Sequence, residues 1–365
     1  MQIPVIPLSY YQTFVLEEKY GFNKTTKGLF VADLIKGWVL GGVIGLPFLA
    51  LFLSIIKWAG SSFIPYLMAF IITSQLILVV IYPLLIQPLF NKLSPLPEGT
   101  LRTRIEALAS SLNFPLKHLY VIDGSKRSSH SNAYFYGLPW SKHIVIFDTL
   151  IAKTSEEQIE AVLGSYSNQR SPLPSFTSNE TPNPLTVVAT AHELGHWKYS
   201  HPSKMLVVSQ LYLASILSVF PPFLRSSPLL RSFGFNATVA AKPPILVAFM
   251  LFQMVQGPID AMIKVGMNAL SRHYEYQADQ FACELDEKAA KEGKHTHGGD
   301  DVSMSERLGQ ALISLHVGNL STVWVDWLFS TWHHSHPTLT ERLKAMEMIR
   351  KQSKDKAASQ GKKEL

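Results

Sequence analysis

Long runs without charge dominate the first quarter of the chain. No charged residue lies between Lys36 and Lys57, and none lies between Lys57 and Lys92. About 20 consecutive apolar residues are needed to cross a bilayer as a helix, and both runs are long enough. The pattern therefore predicts two transmembrane helices, at about 34–57 and 63–90.

Two further uncharged runs follow in the second half of the chain. One extends from Lys204 to Arg225 and is long enough to cross a membrane. The other, from Lys242 to Asp260, reaches that length only if its helix continues past Asp260. We therefore predict two more spans within 204–270, which gives about four in the chain.

The stretch between the second and third predicted spans, residues 91–203, has the patterns of a soluble region. A helical pattern covers 99–112, and Gly and Pro then separate short runs that are typical of a small sheet. These predicted strands are 118–122, 132–137 and 143–147. A helix is predicted at 155–163, and the Ser-, Pro-, Asn- and Thr-rich stretch at 165–184 is typical of a loop.

These patterns divide a mainly α, polytopic membrane protein into five parts. The N-terminal segment and the first two spans occupy 1–90, the soluble region 91–203, and the other two spans 204–270. A second soluble part covers 271–350, and a basic tail at 351–365 ends the chain.

Composition supports a membrane protein. Hydrophobic residues make up 47% of the 365 positions and charged residues 16%, against about a quarter in soluble domains. This composition argues against a disordered chain, which needs low hydrophobicity and high charge. The single cysteine, Cys283, excludes an intramolecular disulfide framework and a Cys-based zinc site. The net charge of +6 is modest and does not predict nucleic-acid binding.

The distribution of lysine and arginine predicts the orientation in the membrane. Basic residues precede the first span, fill the region between the second and third spans, and recur in the tail. Such segments stay in the cytosol, so we expect a cytosolic soluble domain and a cytosolic C-terminus. Lys362 and Lys363 lie fourth and third from the end. They resemble a dilysine retrieval signal and predict a multi-pass protein of the endoplasmic reticulum membrane.

A His-Glu-x-x-His motif carries the candidate chemistry. His192 and His196 are four residues apart, so a helix places both imidazoles on one face. Neutral imidazoles are good zinc ligands, and Glu193 lies beside them as a candidate general base. The motif predicts a catalytic zinc site.

A third protein ligand is needed for such a site. His201 is nearby, but the longer motif with a third histidine would place that histidine at Pro202. Glu275 and Asp279 are a distant acidic pair with the same four-residue spacing. One of them can bind zinc while the other hydrogen-bonds a ligand imidazole, or both can be solvated. Spacing alone leaves these alternatives open.

Five segments together resemble one known family. The chain is similar to the Ste24-type CAAX prenyl proteases, which are integral-membrane zinc metalloproteases of the M48 family. The similarity covers most of the chain in order and rough spacing. The segments are 14–25, 125–137, 192–197, 271–279 and 335–343.

The resemblance implies a set of zinc ligands and a fold. By the family pattern, one Zn²⁺ is held by His192, His196 and Glu275, with Glu193 as general base and Asp279 beside a ligand imidazole. It also implies that the cytosolic part is a zincin-like α+β metalloprotease domain with a small sheet.

The resemblance also implies groups that act on the substrate. It places His336 and Arg342 at the site, where they can stabilise a developing oxyanion or bind a C-terminal carboxylate. It further implies that Asn132, Ala133 and Tyr134 form an edge strand with which an extended substrate pairs.

The implied function is removal of the last three residues of prenylated CAAX proteins. The implied partners are these substrates and the lipid bilayer, and we expect no nucleic acid. Two alternatives are a membrane-protein quality-control protease of the HtpX type and an inactive, truncated membrane scaffold.

Two departures from the family pattern stand out. Family members have seven spans, and the segment like 14–25 follows the third, so three N-terminal spans are expected to be missing here. An insertion at about 164–190 precedes the zinc motif, and we expect it to break the helix that carries the histidines.

Overall fold

The structure is a computed structural model that describes residues 5–138, 140–152, 184–241, 243–291 and 304–361. The predicted helix at 155–163, almost all of the predicted loop at 165–184, and Lys362 and Lys363 lie outside these ranges.

The N-terminal region consists of long helices. After α1 (Val5–Tyr11) and a π-helical turn (Gln12–Glu17), two helices follow, α2 (Lys27–Ala59) and α3 (Phe63–Ile81). Another π-helical turn (Tyr82–Ile86) and the short α4 (Gln87–Phe90) continue α3. An uninterrupted helix satisfies its own backbone groups, as the interior of a bilayer requires.

A four-stranded mixed sheet follows, with α5 (Thr100–Ser111) packed against it and α6 (Asp148–Ala152) after its last strand. Its strands are β1 (Leu93–Pro95), β2 (Leu116–Ile122), β3 (Ala133–Leu138) and β4 (Ser141–Phe147). The spatial order is β1-β2-β4-β3, with β2 and β4 parallel and both outer pairs antiparallel. The three predicted strands are confirmed, and β1 is an addition.

Helices form the remaining part of the described chain. They are α7 (Pro184–Lys198), α8 (His201–Arg225), α9 (Ser227–Ser232), α10 (Ala237–Ala241), α11 (Ile245–Lys291), α12 (Met304–Gly318), α13 (Trp327–His333) and α14 (Leu339–Gly361).

Three helices of the described residues are long and apolar enough to cross a membrane. They are Lys27–Ala59, Phe63–Phe90 and His201–Phe223, which confirms the first three predicted spans. The fourth predicted span is the first half of α11, which is not among them. Gln253, Gln256, Asp260 and Lys264 interrupt its apolar surface. By length and composition, three of the described helices thus qualify as spans, and the fourth span stays a prediction.

Helix α7 lies between two hydrophobic cores. Leu194 is buried in the core between the sheet, α5 and α11, together with Ile144 and Ile146. Ala191, on another side of the helix, packs with Ala282 and neighbours from α12 and α14. Helix α7 begins eight residues before His192, within the predicted insertion. The expectation that the insertion breaks a longer helix stays a prediction, because residues 153–183 lie outside the described ranges.

Candidate metal centre

The two histidines of the sequence motif lie on one face of α7. The Nε2 atoms of His192 and His196 are 3.1 Å apart. His192 is buried and His196 is partly buried, so both rings are largely shielded from water. The four-residue spacing produces this arrangement directly, since it corresponds to about one turn of helix.

Helix α11 crosses α7 and adds a carboxylate. The Glu275 oxygens lie 3.3 Å from His192 Nε2 and 3.4 Å from His196 Nε2. With ligand bonds of 2.0–2.1 Å, two ligands of a tetrahedral metal ion are about 3.3 Å apart. The three side chains therefore fit a metal ion with a fourth, open position, and they form the candidate metal cluster of the described residues.

A carboxylate and a guanidinium fix His192 from its other side. Asp279 Oδ1 lies 2.9 Å from His192 Nδ1, and Arg342 donates to both oxygens of Asp279, from Nε at 2.8 Å and from Nη2 at 2.5 Å. Because Asp279 holds the proton on Nδ1, His192 would offer the Nε2 lone pair to a metal ion once Nε2 is deprotonated. Asp279 is only 1% exposed, so this pair lies away from water.

The electrostatics of the cluster favour ionised carboxylates. Burial alone would raise the pKa of Glu275, but its contacts with His192 and His196 hold it well below the usual range. Burial likewise opposes ionisation of Asp279, yet contacts with His192 and Arg342 lower its pKa. Burial and the charge of Arg342 act to lower the pKa of His192, but the contacts with Asp279 and Glu275 raise it above its ordinary value. A metal ion must therefore displace a proton to bind at neutral pH.

Glu193 follows His192 on α7 and is partly buried. Burial is the largest influence on this carboxyl group and raises its pKa above the ordinary value, against the attraction of His192 and His196. A carboxylate with a raised pKa accepts a proton more readily, which suits a general base.

A loop before α14 brings His336 to the cluster. Its Nδ1 lies 3.0 Å from Glu275 Oε1, and its side chain is 67% exposed. The contact with Glu275 raises the pKa of His336. Arg342 differs, because its guanidinium is buried and engaged by Asp279. His336 is thus the member of this pair that an approaching molecule can reach.

Two residues that the sequence analysis did not single out hold this loop in place. Arg272 on α11 donates to Glu341 at 2.6 Å and to Ser330 at 2.6 Å. Glu341 also accepts from the backbone N–H of Thr338 at 2.7 Å. These bonds tie α11, α13 and α14 together next to the cluster.

The predicted edge strand lies beside the motif helix. Ala133 and Tyr134 begin β3, which pairs with β4 on one side only, and Asn132 precedes it. Strand β3 also packs against α7. The Tyr134 hydroxyl accepts a hydrogen bond from Gln87 Nε2 at 2.5 Å, which joins the strand to the end of the second span.

His201, which the sequence analysis considered and set aside as a ligand, lies behind the cluster. Its Nδ1 is 3.0 Å from Nδ1 of His196, and its Nε2 is 2.9 Å from Oε1 of Gln277. The sequence signal was present in its short distance from the motif. His201 was correctly excluded as a direct ligand, but a role as the hydrogen-bond partner of a ligand was considered only for Glu275 and Asp279.

Two family models match the chain. One, described as the CAAX prenyl protease N-terminal region with five membrane helices, matches residues 1–92. The other, described as peptidase family M48, matches residues 95–164 and 181–350. The chain belongs to peptidase family M48. The interruption of the second match between 164 and 181 coincides with most of the predicted insertion.

Curated M48 relatives resemble the chain over nearly its whole length. CAAX prenyl protease 1 of Saccharomyces cerevisiae is 40% identical over 96% of this chain and 70% of its own length. The human CAAX prenyl protease 1 homolog is 38% identical over 94% of this chain and 70% of its own length.

A solved M48 structure has the same fold. The crystal structure of S. mikatae Ste24p matches with a TM-score of 0.73 and 40% identity, over 94% of this chain and 72% of that chain. The expectation that N-terminal spans are missing is contradicted by the match of residues 1–92 to the N-terminal membrane region of the family.

Proposed function

We propose that this M48 protein is a zinc-dependent endopeptidase that removes the last three residues of prenylated CAAX proteins. The observation that carries the proposal is the cluster of His192, His196 and Glu275 with Glu193 next to it on α7. The names of the relatives, CAAX prenyl protease 1, support the substrate class.

Zinc is the metal that suits this donor set. Two imidazoles and one carboxylate with an open fourth position are typical of catalytic Zn²⁺ sites in hydrolases. Bound zinc supplies a Lewis acid that polarises the scissile carbonyl and makes the attacking water more acidic. One ion per chain is expected from the single cluster in the described residues.

The side chains around the cluster have separate roles in peptide hydrolysis. Glu193 takes a proton from the attacking water and then returns it to the leaving amine. His336, with its exposed ring, donates a hydrogen bond to the developing oxyanion. Arg342 holds Asp279 and adds positive charge close to Glu275, with 3.7 Å between Nη1 and Oε2.

The substrate peptide binds in extended form along β3. The Asn132 carbonyl accepts from the Phe147 N–H of β4, so the strand that begins at Ala133 and Tyr134 presents alternate backbone groups to its unpaired side, and an added strand there would lie next to α7. The prenyl group is apolar and lies among the membrane helices. The second membrane span ends next to this edge, where Gln87 contacts Tyr134.

We also propose that the protein resides in the endoplasmic reticulum membrane with its catalytic part and C-terminus in the cytosol. Helix α8 leaves the metal centre at His201, and α11 returns to it at Glu275, so both ends of this pair are on one side. Within the pair, the Tyr212 hydroxyl donates to Asp260, which also accepts from Gln256 at 3.0 Å. This pairing reduces the cost of a charge in the returning helix.

The test compares two peptides that end in a CAAX sequence, one farnesylated and one unmodified, with the purified full chain in detergent or liposomes. Release of the C-terminal tripeptide, measured by mass spectrometry, is expected from the farnesylated peptide alone. Glu193→Gln should lower the rate about 10²–10⁴-fold, because the amide cannot accept the proton.

Three outcomes would contradict the proposal in different ways. Equal cleavage of both peptides would favour a quality-control protease of the HtpX type. Zinc binding without any cleavage would favour an inactive scaffold. Turnover by Glu193→Gln at the wild-type rate would show that the base is another group.

A further inference from the structure

His201 is the first residue of α8 and is only 2% exposed. Helix α7 ends at Lys198, and Ser200 then adopts a left-handed backbone with φ of 55°. This reversal starts α8 immediately and turns the His201 ring back towards the motif helix. The position of His201 therefore depends on the sharp turn and not on helical periodicity.

Two contacts fix the plane of the His201 ring. Tyr274 on α11 stacks on it, with ring centroids 4.2 Å apart and an angle of 9° between planes. Gln277, one turn further along α11, places Oε1 2.9 Å from His201 Nε2. The ring thus has one nitrogen directed at Gln277 and the other, Nδ1, directed at His196 Nδ1 at 3.0 Å.

The proton positions follow from the chemistry of these atoms. An amide oxygen only accepts, so His201 Nε2 carries a proton and donates it to Gln277. Neutral His201 then has a lone pair at Nδ1, which accepts a hydrogen bond from His196 Nδ1. His196 is left with its lone pair at Nε2, the atom that lies 3.1 Å from His192 Nε2 and 3.4 Å from Glu275.

The same proton positions follow from what His196 requires as a metal ligand. A metal ligand needs its lone pair at the ligating nitrogen, so a ligating His196 carries its proton at Nδ1 and needs an acceptor there. His201 with its proton on Nε2 supplies that acceptor, and the oxygen of Gln277 supports that tautomer.

We propose that His201 and Gln277 form a hydrogen-bond relay that fixes the tautomer and orientation of His196 as a metal ligand. This inference rests on the proposed zinc site. His201 is a positioning residue for His196, as Asp279 is for His192. The two ligand imidazoles are thus held by different chemistry, one by a carboxylate and the other by a neutral histidine and an amide.

The experiment measures the Zn²⁺ affinity of the purified full chain by competition with a chromophoric chelator. His201→Phe keeps the ring stacked on Tyr274 but removes both nitrogens, and it should weaken Zn²⁺ binding about 10–100-fold. His201→Asn places an acceptor oxygen near the former Nδ1 and should recover part of that loss. His273→Phe, an exposed histidine on α11, is the matched control and should bind Zn²⁺ like the wild type.

A second pair of variants tests the outer member of the relay. Gln277→Glu keeps an acceptor for His201 and should retain Zn²⁺ affinity, whereas Gln277→Met should weaken it. The thermal midpoint of each metal-free variant is measured with and without Zn²⁺, because a ligand that binds the folded state raises the midpoint. The relay predicts a smaller Zn²⁺-induced rise in His201→Phe and Gln277→Met.

Wild-type Zn²⁺ affinity in His201→Phe would overturn the inference, as would equal losses in the Phe and Asn variants. If His201→Phe does not fold, the two Gln277 variants test the relay, and equal Zn²⁺ affinity of Gln277→Glu and Gln277→Met would refute it. Absence of Zn²⁺ binding by the wild type would overturn the proposed function and this inference together. Binding by the wild type with no difference among the variants would overturn the inference alone.

Discussion

Gly195→Ala is expected to damage the metal centre although it replaces glycine by the best helix former. Gly195 lies between the two motif histidines at the point where α7 crosses α11. A Cβ added there would lie 3.0 Å from Ala278 Cα, 3.1 Å from Phe281 Cδ1 and 3.2 Å from the Ala278 carbonyl oxygen. Two of these three atoms are backbone, so α7 and α11 must move apart by a few tenths of an ångström.

Two opposing terms set the effect on stability. Alanine in a helix interior is favoured over glycine by about 1 kcal/mol. Overpacking a tight contact costs about 1–3 kcal/mol. We therefore expect a net loss of about 1 kcal/mol in the free energy of unfolding. Zinc affinity should fall more clearly, about tenfold. The two histidines lie on α7 and Glu275 lies on α11, so separation of these helices moves the ligands apart. A binding site must be held within roughly 0.5 Å of its productive geometry.

The assay is chelator competition for Zn²⁺ together with the thermal midpoint of the metal-free protein. Gly266→Ala is the matched control, since Gly266 is an exposed position of α11 whose added Cβ meets nothing within 4 Å. The control should be neutral or more stable by about 0.5–1 kcal/mol. Unchanged Zn²⁺ affinity and equal or higher stability in Gly195→Ala would refute the reasoning from helix contact.

Other perturbations separate the roles of neighbouring side chains. Glu275→Ala should remove bound zinc far more than Asp279→Ala, because it deletes a ligand and not a ligand's partner; metal analysis that finds equal loss would contradict this. Burial opposes ionisation of Glu341, but the Thr338 N–H and a guanidinium lower its pKa below 4.5. Glu341→Gln should therefore reduce the free energy of unfolding by about 1 kcal/mol at neutral pH. The difference from wild type should shrink as the pH falls below the ordinary glutamate pKa, and thermal midpoints measured over a pH series test this. A C-terminal tag should be cleaved by protease added to sealed microsomes, and a protected tag would contradict the cytosolic tail. Lys362→Ser together with Lys363→Ser should release the protein from the endoplasmic reticulum.

The membrane helices and the motif were predictable because both depend on local patterns. An uncharged run long enough to cross a bilayer predicts a helix without knowledge of its neighbours, and α2, α3 and α8 follow this rule. The first half of α11 does not follow this rule, since its polar groups can lie in a bilayer through partners such as Tyr212 on α8. The sequence does not show this contact, so the uncharged run alone could not predict whether this helix is a span.

The sequence by itself determined that His192 and His196 share a helix face, because their separation is one helical turn. It did not determine which carboxylate joins them. Glu275 and Asp279 are four residues apart, so both can lie on one helix face, and they are about 80 positions away from the histidines. Tertiary packing decided that question: Gly195 lets α11 approach closely, and Glu275 then faces the cluster while Asp279 meets Arg342. Only the folded chain could place His201 behind His196, because a single left-handed residue redirects the backbone and no helical period records such a turn.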